Sequence, residues 1–148
     1  MSPALLGAVP SAHAAVLVQR RVEWPDTDAA GHYHHSTVVR WVEAAEAVLY
    51  ERLGITELFG RIPRVRYEVE YSARLWFGDV VDIAFGVGEL GRTSITYAFE
   101  VRRGDQVAAA GRMVAVSSDP ADGGTEPWSD DVRKAFLESG ALAPERFA

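Results

Sequence analysis

Several features that mark common functional classes are absent from this sequence. It contains no cysteine, so thiol nucleophiles, disulfides and thiolate-bound metals are excluded. No apolar run approaches the roughly 20 residues that span a bilayer, and no lysine or arginine precedes Arg20, so a secretory signal would lack its charged start. The net charge is −6 with the two signs interspersed, which gives no electrostatic footprint for nucleic acid or an anionic membrane. We therefore expect a cytoplasmic protein that binds neither.

The length and composition fit one domain. With 148 residues, of which 48% are hydrophobic, the chain can bury an ordinary core. Residues 1–14 are small and mildly apolar, and we expect them to form a flexible N-terminal tail. Residues 15–120 are the predicted folded domain. Residues 121–148 begin as a linker rich in glycine, aspartate and proline, after which we expect a short surface helix and a mobile tail.

The spacing of apolar residues indicates one long helix and several strands. Residues 37–53 repeat apolar side chains every three or four positions, with Ser36 as a plausible N-cap and Gly54 as the stop. Period-two alternation predicts a strand at 15–24 and four more within 64–116, joined mostly by tight turns. A largely antiparallel sheet of about five strands buries one apolar helix face most simply by curling round it. The sequence therefore predicts an α+β hot-dog fold, with a long central helix wrapped by the sheet.

The loop between the first strand and the helix concentrates reactive side chains. Two aspartates and three histidines lie within residues 26–35, directly before the helix: Asp26, Asp28, His32, His34 and His35. The first turn of a helix offers free N–H groups and a positive partial charge, which can hold an anion or a polarised carbonyl oxygen. A carboxylate beside such donors is suited to acyl transfer or hydrolysis. This loop is the predicted active site.

The same loop resembles a known family. The segment DTDAAG at 26–31, His35 four positions later and the RW pair at 40–41 are similar to the signature of the 4-hydroxybenzoyl-CoA thioesterase-like acyl-CoA thioesterases. Similar pieces follow at VEY 69–71, GRTS 91–94 and SDP 118–120, so the likeness covers about residues 16–120. The resemblance implies hydrolysis of an acyl-CoA or acyl-carrier-protein thioester to free acid and thiol.

The resemblance also implies roles for three residues of the loop. Asp28 corresponds to the carboxylate that acts as nucleophile or general base. The backbone N–H at His35 corresponds to the donor that polarises the thioester carbonyl, as in an oxyanion hole. Gly31 completes this catalytic motif. No cofactor and no metal are implied.

Substrate binding is expected elsewhere on the chain as well. Arg92 and Thr93 lie on a predicted turn, where Arg92 is the best candidate among the arginines for the phosphates of coenzyme A. Trp24, just before the loop, is a further candidate for binding substrate. The family forms homodimers and often homotetramers with the active site at the subunit boundary, so we expect a homo-oligomer. His32 and Thr37 depart from the family's usual residues, which leaves the acyl group open.

Other interpretations of these residues remain. Asp26 follows a proline and is expected to shape the turn. The close spacing of the three histidines is not a known metal-ligand pattern. Glu43 and Glu46 are expected on a solvated helix face, although a helical glutamate is catalytic in another hot-dog branch. The alternative functions are a hot-dog hydratase or dehydratase, for which no HFPxH-type motif is present, and a non-catalytic acyl-binding protein.

Overall fold

The computed structural model describes residues 7–147 and has one five-stranded sheet packed against helices. The strands are β1 (Ala15–Arg21), β2 (Arg64–Tyr71), β3 (Val80–Leu90), β4 (Ser94–Arg103) and β5 (Gln106–Val116). The α-helices are α1 (Thr37–Leu53) and α2 (Asp130–Glu138), and single 3-10 turns lie at Trp24–Asp26 and Thr56–Leu58. Within residues 7–147 no helix has the length and apolar character needed to cross a membrane.

The sheet has the strand order β1-β3-β4-β5-β2, and every neighbouring pair is antiparallel. Alternate residues of each strand face α1, which carries its buried residues along one side. The largest buried side chains of the sheet on that face include Ile83, Phe85, Tyr97, Phe99 and Met113. The α+β hot-dog fold predicted from the sequence is confirmed.

The limits of α1 agree with the sequence pattern. Ser36 occupies the N-cap position, although its side chain caps no backbone N–H and instead has its Oγ 2.7 Å from His34 Nδ1. The helix ends at Gly54, whose φ of +70° is costly for other residues. The start of α1 therefore lies directly beside the histidine loop.

The described part of the expected N-terminal tail is packed against the sheet. Val9 is 1% exposed and forms a small cluster with Ala15, Ala84 and Ala98 on the face away from α1. Gly86 makes room for it, because a Cβ there would lie 3.0 Å from Val9 Cγ1. Residues 7–14 are therefore part of the folded unit, which corrects the expectation of a loose tail. Residues 1–6 lie outside the described range.

The C-terminal helix is also part of the main core. Trp128, Val132 and Phe136 recur every four residues and are buried with the side chains of α1 and the sheet. The Phe136 ring is 6.3 Å from that of Tyr50 and 6.5 Å from that of Tyr97. The predicted short helix is present at Asp130–Glu138, but the folded unit does not stop at residue 120.

The final segment runs alongside β1. The Leu142 N–H donates to the Ala15 carbonyl at 2.8 Å, and the Glu145 N–H donates to the Leu17 carbonyl at 2.9 Å. The Gln19 N–H donates in return to the Glu145 carbonyl at 2.8 Å. These bonds cover the outer edge of β1. The expected mobile tail is therefore docked on the sheet as far as it is described.

Candidate active site

Asp26 is a structural residue of the loop. Its Oδ2 accepts the Glu23 N–H at 2.8 Å, and its Oδ1 lies 2.9 Å from Arg40 Nη2. Its carbonyl accepts the His34 N–H at 2.7 Å and the Thr37 hydroxyl at 2.8 Å. Asp26 therefore ties the 3-10 turn to the start of α1, as its position after a proline suggested.

Asp28 has one carboxylate oxygen engaged and one without a hydrogen-bond partner among residues 7–147. Its Oδ1 accepts the Ala30 N–H at 2.8 Å, which closes a tight turn. Its Oδ2 lies 3.8 Å from His32 Nδ1, beyond hydrogen-bond range, and the side chain is 31% exposed. The turn therefore fixes the carboxylate while leaving Oδ2 accessible.

Gly31 sets the backbone of this turn. Its backbone φ of +91° is an angle that residues other than glycine rarely adopt. Its N–H donates to the Asp28 carbonyl at 3.0 Å. A Cβ at this position would meet Trp76 Cζ3 at 3.6 Å, which is an ordinary contact. The glycine is therefore required by the backbone angle rather than by lack of space.

His35 lies at the end of the loop, two residues before α1 begins. Its backbone N–H has no hydrogen-bond acceptor among the residues described. Its carbonyl accepts the Tyr71 hydroxyl at 2.6 Å, so the end of β2 holds this part of the loop in place. An unengaged N–H at the start of a helix is a suitable donor to a carbonyl oxygen.

Asp28 and His35 line the same cleft. This Asp28 cleft has a volume of about 350 Å³. Its walls are Asp28, His32, Tyr33, His35 and the segment 71–74. Burial raises the pKa of Tyr33 to about 12, with a further contribution from Tyr71, so its hydroxyl stays protonated and donates to the Ala73 carbonyl at 3.1 Å.

Aromatic side chains lie on the other side of Asp28. A larger cleft of about 1110 Å³ is lined by Asp28, Gly31, Trp24 and Phe77 among others. Trp24 is 78% exposed and Phe77 66% exposed, so neither belongs to the core. Trp24 thus lines a cleft together with Asp28, and its role in substrate binding stays a prediction. Ser72, Ala73 and Arg74 line the Asp28 cleft but were not predicted as site residues, because their position depends on long-range pairing that spacing does not reveal.

The three histidines face different neighbours. His32 contacts the edge of Trp76, with ring centroids 5.8 Å apart, while the rings of His34 and His35 are 4.1 Å apart. His34 Nδ1 is occupied by the Ser36 backbone and hydroxyl. In the part of the chain that the structure describes, no group of three or more ligating side chains converges.

Arg92 and Thr93 lie far from Asp28 within one chain. Their turn joins β3 to β4, and it contacts the C-terminal segment through the bond from the Trp128 N–H to the Arg92 carbonyl at 3.2 Å. Asp28 lies at the opposite end of the sheet, separated by the ten residues of β4, about 30 Å of extended chain. One protomer therefore does not bring these predicted binding residues to the catalytic loop.

Glu46 is buried, which corrects the expectation of a solvated helix face. It is 3% exposed, and its carboxylate accepts the Tyr50 hydroxyl at 2.8 Å and contacts the Arg64 guanidinium. Burial raises the pKa of the Glu46 carboxyl despite these partners. Glu43 is exposed, as expected. Glu46 lies four residues after Val42 and three before Leu49, so the helical period already placed it on the apolar side.

Comparisons with known proteins identify the family of this chain. The family model described as the thioesterase-like superfamily matches residues 22–136. A curated relative, a putative esterase of Aquifex aeolicus, is 28% identical over 100 residues, covering 63% of this chain and 77% of the relative.

Solved structures show the same fold. A predicted thioesterase from Bacillus stearothermophilus is 28% identical with a TM-score of 0.76, covering 82% of this chain and 93% of that chain. A thioesterase complexed with coenzyme A and zinc from Thermus thermophilus is 25% identical with a TM-score of 0.74, covering 81% of this chain and 90% of that chain.

The fold and the family match thus define a thioester hydrolase of the hot-dog class. The chain belongs to the thioesterase-like superfamily.

Proposed function

We propose that this enzyme hydrolyses acyl-CoA thioesters, with Asp28 as the catalytic carboxylate and the His35 N–H as the oxyanion donor. The proposal is supported by the cleft that Asp28 and His35 line together, since Asp28 Oδ2 and the His35 backbone N–H have no hydrogen-bond partner among the described residues. Coenzyme A as the thiol carrier is supported by the similar Thermus thermophilus thioesterase, which is complexed with it.

The chemistry follows from these two groups. The N–H donates to the thioester carbonyl oxygen and stabilises the negative charge that develops as the carbon is attacked. Asp28 Oδ2 acts either by removing a proton from an attacking water or by attacking the carbon itself to give a mixed anhydride. In both routes the C–S bond breaks and the thiolate leaves and is protonated. In the general-base route water supplies the second oxygen of the acid. In the anhydride route Asp28 Oδ2 bonds to the acyl carbon as the thiolate leaves, and water then opens the anhydride at either of its two carbonyl carbons. Label found in Asp28 after one turnover in ¹⁸O-labelled water identifies the anhydride route, because only attack of water on Asp28 Cγ places it there.

The active form is proposed to be a homodimer joined through β2. The residues along β2 are largely exposed, with Val65 at 60% and Tyr71 at 46%, whereas the segment after α2 covers the edge of β1. An open strand edge offers unpaired backbone groups to a second strand. A two-fold axis across β2 joins two sheets into one, and the same patch serves both subunits.

The charges on β2 support an antiparallel pairing of this kind. On the face away from α1 the strand carries Arg66 in its first half and Glu68 and Glu70 in its second. Antiparallel pairing centred on Glu68 places Arg66 opposite Glu70 of the partner subunit, twice per dimer. It also places the two Glu68 side chains opposite each other, where Arg66 and Arg112 of the same chain offset their charges. Opposite charges directly across strands stabilise the pair by about 0.2–1 kcal/mol each.

Light scattering over a wide concentration range tests the dimer. Glu70→Arg is expected to weaken it, because two arginines then face each other, and adding Arg66→Glu on the same chain is expected to restore it. A monomer at all concentrations would overturn this part of the proposal. Whether dimers pair further into tetramers is read from the same measurement.

The function itself is tested by release of free thiol from a panel of acyl-CoAs and acyl-carrier proteins. We expect turnover on at least one acyl-CoA. Conversion of a β-hydroxyacyl-CoA to the enoyl-CoA without release of thiol would instead favour the hydratase or dehydratase. Binding of acyl-CoAs without any turnover would favour the acyl-binding protein.

A further inference from the structure

A second cleft lies at the other end of β2 from Asp28. This distal cleft has a volume of about 480 Å³, within the range of small-molecule sites. Its apolar wall comes from the segment after α1, and its lining includes Leu58, Phe59, Ile62 and Pro63. Its polar end is formed by Glu43, Glu46, Arg64 and Ser118. The proposed reaction, considered in one subunit, leaves this cleft without a role.

The polar end of the distal cleft is a fixed guanidinium. Arg64 contacts the buried Glu46 carboxylate through Nη2, and its Nη1 donates to the Ile62 carbonyl at 2.7 Å. Glu46 is held in turn by the Tyr50 hydroxyl, which lies 2.7 Å from the Tyr97 hydroxyl. The Arg64 side chain is 36% exposed and has five N–H donors, so donors remain for a ligand. The guanidinium is therefore preorganised to bind a hydrogen-bond acceptor.

The proposed dimer brings this guanidinium to the other subunit's active site. Antiparallel pairing of β2 lays the first residues of one strand beside the last residues of its partner. With Arg66 opposite Glu70 of the partner subunit, Arg64 lies at the end of the paired region, beside the segment that follows β2 of the partner subunit. Ser72 and Ala73 line the Asp28 cleft. The distal cleft of each subunit therefore continues the Asp28 cleft of the other.

We propose that Arg64 binds the far end of the acyl group that is being hydrolysed at the partner subunit's Asp28. It selects acyl groups that end in an uncharged hydrogen-bond acceptor, such as a hydroxyl or carbonyl oxygen, because Glu43 and Glu46 also line the cleft and repel a carboxylate. The apolar residues of the distal cleft contact the body of the acyl group. This inference rests on the proposed thioesterase function and on the dimer through β2.

Heterodimers give a direct test of binding across the interface. Subunits carrying Asp28→Asn and subunits carrying Arg64→Gln are given different tags, assembled together and purified as heterodimers. Such a dimer has one site in which an intact Asp28 meets an intact Arg64 of the partner subunit. With an acyl-CoA that ends in an oxygen group, about half of the wild-type rate is expected. If Arg64 acts within its own chain instead, the one site with an intact Asp28 lacks its Arg64 and is about ten-fold slower. The heterodimer would then show only about a twentieth of the wild-type rate, which would overturn the proposal.

Specificity gives a second readout. The ratio of kcat/KM values for two acyl-CoAs of equal length, one with and one without a terminal hydroxyl, is expected to fall about ten-fold in Arg64→Gln. Arg64→Lys should lose less, because it keeps a charged donor. Arg61→Gln, at an exposed arginine of the same loop, should leave the ratio unchanged. An unchanged ratio in Arg64→Gln would contradict the assignment.

Replacing Arg64 affects folding as well as the distal cleft. Because Arg64→Gln leaves the Glu46 carboxylate buried without its cation, the double variant Glu46→Gln with Arg64→Gln is measured in parallel and should show the same loss of preference. Wild-type enzyme that hydrolyses no acyl-CoA would sink the proposed function. Wild-type turnover with heterodimers at a twentieth of the rate would sink only this inference.

Discussion

The guanidinium of Arg40 lies 2.9 Å from Asp26, and this contact separates the roles of the two loop aspartates. Asp26 has both carboxylate oxygens engaged, by Arg40 and by the Glu23 N–H. Asp28, two residues later, uses one oxygen for its turn and keeps the other free at the cleft. Two neighbouring residues of one type are thus distinguished by their partners.

The first prediction concerns Asp28→Asn. The amide keeps the side-chain shape and the oxygen that accepts the Ala30 N–H, but it lacks the negative charge needed by a base or nucleophile. We expect kcat to fall at least about 100-fold with a much smaller change in KM. Steady-state kinetics on the best acyl-CoA measures both.

Asp26→Asn is the matched control for this change. It weakens the ion pair with Arg40, so we expect a lower melting temperature with a milder effect on kcat. A near wild-type rate in Asp28→Asn would overturn the mechanism. Melting curves of both variants separate loss of charge from loss of fold.

The second prediction concerns Gly31→Ala. At a φ of +91° an alanine strains the backbone by about 1 kcal/mol or more, and the turn that fixes Asp28 shifts. We expect lower stability and a lower kcat. Gly54→Ala, at a φ of +70° away from the cleft, should lower stability but spare kcat. If Trp76→Ala rescued Gly31→Ala, the cause would be a side-chain clash and this explanation would be wrong.

The third prediction concerns Glu46 and pH. Because burial raises the pKa of Glu46 in the folded protein, its protonated form is favoured by folding. Its contribution to stability is therefore present below the ordinary carboxyl pKa, about 4.3, and is lost as the pH rises through the raised value. Glu46→Gln removes this titration, so the melting temperature of the variant minus that of wild type should increase with pH over that window. A difference that falls or stays constant would contradict the burial effect.

The fourth prediction concerns the C-terminal helix. Phe136 is fully buried beside Tyr50 and Tyr97, so Phe136→Ala should lower the free energy of unfolding by about 3–5 kcal/mol. Lys134→Ala, at an exposed position of the same helix, should change it by less than about 0.5 kcal/mol. Urea titrations measure both. Equal effects would mean that α2 is not part of the core.

The fold and the position of the candidate loop could be predicted because their signals are local. The limits of α1 follow from apolar spacing and from Gly54, and the strands follow from alternation. Asp28 and His35 are close in sequence, so the loop that carries them is readable without tertiary information.

Other features depend on contacts between distant residues. The helical period alone places Glu46 on the apolar side of α1. The buried carboxylate is stabilised there by the guanidinium of Arg64, 18 positions later, which the helical period does not reveal. The sheet and its neighbours bury Val9 and Phe136, and the edge of β1 binds the segment after Gly140. These contacts join residues that are far apart in the sequence. The separation of Arg92 from Asp28 follows from the direction in which β4 runs, which residue spacing does not reveal.

The segment that covers β1 also limits how far copies of this chain can add to one another. A sheet with two open edges can grow without end, as the strands of a fibril do. Here the bonds from Leu142 and Glu145 occupy one edge, so backbone pairing through the other is complete after a single partner. In the proposed dimer the segment after Gly140 therefore ends strand addition on the β1 side, and we expect a chain lacking it to present a second open edge and to form filaments.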